Sequence, residues 1–143
     1  MRIISACLLG VACRYDGGDC LHPAAEELAR EGCLLPFCPE QLGGLPTPRP
    51  PAEIHGGAGA EVLGGTARVI DREGRDVTAA FLQGARQVAG LCARLGVEEA
   101  LLKSRSPSCG VGWIHRDGTL VAGDGVTAAL LRQRGVRVLA HPE

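Results

Sequence analysis

Cysteine is the residue type whose number and placing in this chain ask for a chemical explanation: seven occur in 143 residues, at Cys7, Cys13, Cys20, Cys33, Cys38, Cys92 and Cys109. The total is odd and no two are spaced as Cys-x-x-Cys, so the zinc-ribbon, thioredoxin and bacterial-ferredoxin signatures are all missing. Cys33 opens an apolar run and Cys92 falls on the apolar side of a helical pattern, so both are expected to fill core space. Cys20 reads as a surface-loop residue. Cys7, or Cys13 in the same loop as its alternative, Cys38 and Cys109 differ, because they lie in SACLLGVACRYDG, FCPEQLGG and KSRSPSCG, among Gly, Pro, Ser and charged neighbours. Soft, reactive thiols in such loops are usually kept for chemistry.

Three thiolates without paired spacing suit zinc held by three cysteines and a histidine, or a 4Fe-4S cluster held by three cysteines with one iron left open. His22, His55, His115 and His141 share no motif with these cysteines, which favours the cluster. An iron without a protein thiolate is a Lewis acid suited to a soft sulfur atom of a substrate. The same loops carry Glu40, Ser104, Ser106 and Ser108, a carboxylate and hydroxyls of the kind that general acid–base work requires. Each has a plainer reading: Glu40 could cap a helix starting at Gln41, and Ser106 with Pro107 could shape a turn. Arg14, Arg49, Lys103 and Arg105 make the loops locally basic, either to hold a phosphate or carbonyl oxygen of a small ligand or as solvated surface charge.

The elements that must position these loops follow from periodicity and punctuation. Short apolar, strand-like runs cover residues 2–6, 33–37, 100–102 and 137–140. Helices are expected from Pro23 to just before Gly32, from Thr78 to Leu95 and from Thr127 to Arg134. Residues 59–78 offer two β runs with glycine breaks, expected as one hairpin, and the Asp-Gly turn in WIHRDGTL as another. Four prolines between Pro46 and Pro51 imply a stiff, non-helical loop. Alternating strands and helices predict an α/β fold, a Rossmann-like or flavodoxin-like three-layer sandwich with a mainly parallel sheet and short hairpins. Three of the four strands end in a cysteine-bearing loop, and in such sheets ligands bind at the carboxyl ends of strands. Cys7 or Cys13, Cys38 and Cys109 therefore converge on one rim.

Composition bounds the rest. The chain is one domain's worth, residues 1–143. Fifteen Lys and Arg against sixteen Asp and Glu leave a net charge of -1, which argues against binding duplex nucleic acid, and 3% aromatic residues nearly exclude base-stacking platforms. No apolar run is long enough for a membrane helix and MRIISACLLG lacks a signal-peptide pattern, so a soluble, cytoplasmic protein is expected.

SACLLGVACRYDG, CPEQLGGLPTPRPPAEI and KSRSPSCG resemble the signature motifs of a family of small proteins that includes the bacterial thiouracil desulfidases. The resemblance runs across nearly the whole chain. It implies a 4Fe-4S enzyme that removes sulfur from thiolated uracil without net redox change, leaving the oxo base and hydrogen sulfide, with a thiopyrimidine base, nucleoside or nucleotide as substrate. Matched by motif, the cluster ligands are Cys7, Cys38 and Cys109, with Cys13 the competing first ligand. Cys7 is preferred because it directly ends a strand, where the backbone is better fixed. The resemblance further implies Glu40 and Ser106 as the acid–base pair, with Ser104, Ser108 and Asp16 as weaker candidates. Two other functions fit the same loops: transfer of the sulfur to an acceptor, or a non-catalytic metal-binding or redox-sensing module.

Overall fold

The computed structural model describes residues 1–141. The chain runs through β1 (Arg2–Ser5), a 3-10 turn (Ala6–Leu9), α1 (Pro23–Arg30), β2 (Leu34–Phe37), α2 (Pro39–Leu42), β3 (Ala52–His55), α3 (Gly59–Gly64) and β4 (Arg68–Asp71). It continues through α4 (Thr78–Leu95), β5 (Glu99–Lys103), β6 (Trp113–Arg116), β7 (Thr119–Ala122), α5 (Val126–Gln133) and β8 (Arg137–His141).

Four strands form one sheet in the order β2-β1-β5-β8, and every pairing within it is parallel. Ile3 stands beside Leu35 on one side and Ala100 on the other, and Leu101 beside Leu139. Side chains alternate across a strand. Accordingly Ile3, Ala100, Leu102 and Val138 pack with α4 and α5 residues such as Phe81, Ala85, Val88, Cys92 and Leu131. Their neighbours Ile4 and Leu101 pack on the opposite face with Ala25 and Leu28 of α1. Both faces of the sheet are thus covered by helices, giving the three layers that the strand–helix alternation implied. From β1 the chain turns to β2 on one side, then returns by α4 to β5 on the other. The carboxyl ends of β1 and β5 therefore mark a topological switch point, where a parallel sheet opens a crevice.

Two expectations need correction. Residues 59–78 do not form a hairpin by themselves: β4 pairs antiparallel with the upstream β3, Ala52 opposite Asp71 and His55 opposite Arg68. GAEVLG is the short helix α3, because the Glu61 carboxylate reaches back to accept the Ala58 N–H at 2.8 Å and Val62 turns into the core. Cys33 does not pack inside but is exposed, held at φ 57 directly after Gly32. That left-handed turn ends the α1 segment and swings the side chain outward before β2 begins. The β6–β7 hairpin forms as expected, Ile114 facing Val121. No helix among the described residues is long and apolar enough to cross a membrane.

Candidate functional site

A cavity of about 680 Å³ opens over the carboxyl ends of β1, β2 and β5. Cys7, Cys13, Cys38 and Cys109 all line it, together with Glu40, Ser104, Ser106 and Ser108. The 3-10 turn that ends β1 carries Cys7, whose carbonyl accepts the Cys20 N–H at 2.8 Å and so ties the following loop down. Cys38 stands at the end of β2, immediately before Pro39, the first residue of α2. Proline is suited to that position, with its fixed φ and no N–H to leave unpaired. Glu40 comes next on the first turn, so one short helix fixes a thiol and a carboxylate together.

Glycines bolt this helix in place. A Cβ at Gly43 would meet the carbonyl of Ala80, and one at Gly84 would meet that of Pro39, so α2 and α4 touch backbone to backbone. The loop after β5 is clamped equally firmly. Val126 and Thr127, at the start of α5, donate their N–H groups to the carbonyls of Pro107 and Ser108 at 2.8 and 2.9 Å. The buried Ser5 hydroxyl accepts the Lys103 N–H at 2.9 Å and joins the ends of β1 and β5.

A hydrogen-bonded chain runs through these elements. Arg49 Nε donates to Glu40 Oε1 at 3.0 Å, and the Ser108 hydroxyl donates to Glu40 Oε2 at 2.9 Å. Ser108 and Ser106 share a 3.3 Å contact, and Ser106 Oγ accepts the Cys109 N–H at 2.7 Å. The Arg49 and Glu40 side chains are 5% and 16% exposed. Removing one member of so buried an ion pair leaves the other uncompensated, at a cost of about 3–5 kcal/mol.

The thiols are crowded. Cys13 contacts both Cys38, which lowers its pKa, and Cys7, which raises it, and with burial the thiol is pushed up to about 11. The Cys38 thiol is raised by its hydrogen bond with Cys13 and by burial. Burial pushes Cys109 up to about 12, although hydrogen bonds with Ser5 and Ser108 favour its thiolate. Such thiols give up their protons when a metal takes them as ligands. Among the described residues no three His, Cys, Asp or Glu side chains meet as ligands of a single ion; the four sulfurs line the cavity wall instead. Soft donors lining one cavity, with Glu40 also in its lining, are a donor set suited to an iron–sulfur cluster.

Not every candidate from the sequence lands here. Asp16 is exposed, outside the cavity lining, and its carboxylate accepts the Gly18 N–H at 2.9 Å to close a turn. Cys20 is half-buried and accepts a 3.3 Å hydrogen bond from Arg14, and Cys92 is buried in the core as expected. Glu40 belongs to the first turn of α2, which starts at Pro39 rather than Gln41. Arg14, Arg49, Lys103 and Arg105 all line the cavity, and the Arg49 guanidinium is also engaged by Glu40, Pro46, Thr47 and Cys13 rather than solvated. Ser108, not Ser106, touches the carboxylate directly. Sequence reasoning missed Ser5, Tyr15, Glu53, His55, Arg72 and His115, which also line the cavity. The last four belong to β3, β6 or the turn after β4, and no local pattern aims those hairpins at the site.

A solved structure of a 4Fe-4S-dependent thiouracil desulfidase, TudS, is similar with a TM-score of 0.84 and 47% sequence identity, over 96% of this chain and 88% of that one. An uncharacterized protein, YbbK, of Bacillus subtilis (strain 168) is 42% identical over 146 residues, covering 100% of this chain and 97% of the relative. The model of the 2-thiouracil desulfurase family matches residues 3–143, and with nearly the whole sequence inside that match, the chain belongs to the 2-thiouracil desulfurase family.

Proposed function

We propose that this protein is a single-domain, 4Fe-4S-dependent desulfidase that replaces the sulfur of a thiolated uracil with oxygen from water, giving the oxo base and hydrogen sulfide. The observation that carries the proposal is the Glu40 carboxylate, gripped by Arg49 and Ser108 on the wall of a cavity that four thiols share. Cys38 and Cys109 would hold the cluster with Cys7, the thiol nearest the end of β1, as first ligand and Cys13 as its competitor. When bound, the cluster supplies an iron without a protein thiolate, a Lewis acid for a soft thiocarbonyl sulfur.

The chain's own residues supply the rest. Glu40 takes a proton from water as the oxygen attacks the ring carbon, and the Arg49 guanidinium, 3.0 Å away, holds the carboxylate in place for it. Ser108, bonded to Glu40 and in contact with Ser106, offers a short path along which a proton reaches the departing sulfur. The ring carbon exchanges its double bond to sulfur for a double bond to oxygen, water supplies the oxygen and both protons of the hydrogen sulfide, and no electron donor takes part.

Anaerobic reconstitution followed by incubation with 2- and 4-thiouracil, without reductant, tests this reading. Equal amounts of sulfide and oxo base are expected, with turnover lowered roughly two to four orders of magnitude in Glu40→Gln. Full turnover in Glu40→Gln with an intact cluster would remove Glu40 from the chemistry, and no sulfide from reconstituted protein would overturn the assignment.

A further inference from the structure

Arg49 lies within the proline-rich loop, between Pro48 and Pro50, and is one of the few buried charged residues among those described, at 9% exposure. A guanidinium has five N–H donors, and burying it costs free energy unless they are matched. Four are matched by four acceptors from three separate segments. Nε donates to Glu40 Oε1 at 3.0 Å, Nη1 to the Pro46 carbonyl at 3.2 Å and to Thr47 Oγ1 at 3.1 Å, and Nη2 to the Cys13 carbonyl at 2.9 Å. Its backbone is pinned too, the Arg49 N–H reaching the Tyr15 carbonyl at 2.7 Å. The same side chain therefore grips the carboxylate on α2 and the backbone of a cysteine on the loop after β1.

We infer that Arg49 is a positioning residue for the desulfuration, acting through Glu40: it fixes one carboxylate oxygen relative to the Cys13 loop, so that the base is held in register with the thiol wall. The inference rests on the function proposed above. It gives this arginine a task other than holding an anionic substrate. Ser108 occupies the second carboxylate oxygen, so with Arg49 in place the carboxylate has a single orientation. Lysine could supply the charge but not the planar fork, which here spreads over the carboxylate and three other acceptors. Gln41 Nε2, which donates to Thr47 Oγ1 at 2.9 Å, braces the same loop from the far side.

The experiment is a double-mutant cycle on reconstituted protein: wild type, Arg49→Gln, Glu40→Gln and the double variant, with Arg49→Lys as a milder second probe. Single-turnover sulfide release, kcat and KM for thiouracil are measured, and iron and acid-labile sulfide are determined for each protein. Sulfide release by wild type is the control that tests the proposed function separately. Arg49→Gln is expected to lower kcat about a hundredfold, the scale of a misplaced catalytic group. KM should stay within about twofold, and iron content at the wild-type level. In the Glu40→Gln background the same change should cost almost nothing, because its target is gone. Arg49→Lys should fall between wild type and Arg49→Gln. An equal loss in both backgrounds, a rise in KM with kcat unchanged, or loss of the cluster in both Arg49→Lys and Arg49→Gln would overturn the inference, the last assigning Arg49 to cofactor retention instead.

Discussion

Ser108 and Glu40, 68 positions apart in the chain, meet through a 2.9 Å hydrogen bond from hydroxyl to carboxylate. Ser106 reaches the carboxylate only through Ser108, and its own oxygen is occupied by the Cys109 N–H. Ser108→Ala should therefore lower turnover by roughly tenfold to a hundredfold with the cluster retained. Ser106→Ala should act mainly by loosening the Cys109 loop, so its loss should appear in cluster content. Steady-state rates and iron analysis on the two variants check this, and the opposite pattern would restore Ser106 as the direct partner.

Serine at Cys38 or Cys109 should abolish cluster retention, since thiolate is the softer iron ligand and the proposed cluster is held by only three. Serine at the buried Cys92 or the exposed Cys33 should leave the cluster intact. Cys7→Ser is expected to lose it and Cys13→Ser to keep it. Iron content and visible absorbance after anaerobic reconstitution decide, and the reverse result for Cys7 and Cys13 would exchange the first ligand.

The backbone contact between α2 and α4 gives a prediction far from the thiols. Gly84→Ala forces a methyl group against the Pro39 carbonyl, and such overpacking should destabilise the fold by about 1–3 kcal/mol while pushing Glu40 out of line. Gly90→Ala, on the same helix, meets nothing closer than Arg94 Nη1 at 3.4 Å and should stabilise by about 0.5–1 kcal/mol. Urea unfolding of the two variants measures the contrast.

Lys103, Arg105, Arg14 and Arg72 all line the cavity, so a thiouridine monophosphate should bind more tightly than the free thiobase. A charge-assisted contact to phosphate contributes about 1.5–3 kcal/mol, or roughly ten- to a hundredfold in affinity, and added salt should erode it. Specificity constants for thiouracil, thiouridine and its monophosphate at two ionic strengths test this. Equal values would place these side chains in solvent.

The sequence is most readable where a local signal and the global fold agree. Strand ends leading at once into SACLLG, FCPEQ and KSRSPSCG announce a common rim, since a parallel sheet leaves few other places for such loops, and the structure puts the cysteines of these loops on one cavity. Long-range pairings are less readable. Nothing in GAEVLG says that its neighbour RVID will pair with AEIH upstream rather than fold back locally, because strand pairing is decided by partners rather than by propensity. Arg49 reads equally well as surface charge, because a single sequence does not show that acceptors from Cys13, Glu40 and the Pro46–Thr47 turn surround it. Asp16 has a chemical look from its motif, yet its carboxylate is spent on a turn.

The sheet order also governs when the site can come into being. Strand β1 lies between β2 and β5, pairing Arg2 with Leu34 on one side and with Glu99 on the other, so the rim is complete only after the chain has folded across most of its length. Contacts of such high sequence separation carry a large loop-closure entropy and form late. A nascent chain therefore emerges with Cys7, Cys13 and Cys38 long before Cys109 can join them. With Cys109 among the ligands, cluster loading is expected only on an assembled sheet, and a truncation at the end of α4, which removes β5 and the Cys109 loop, should leave a protein that retains no cluster.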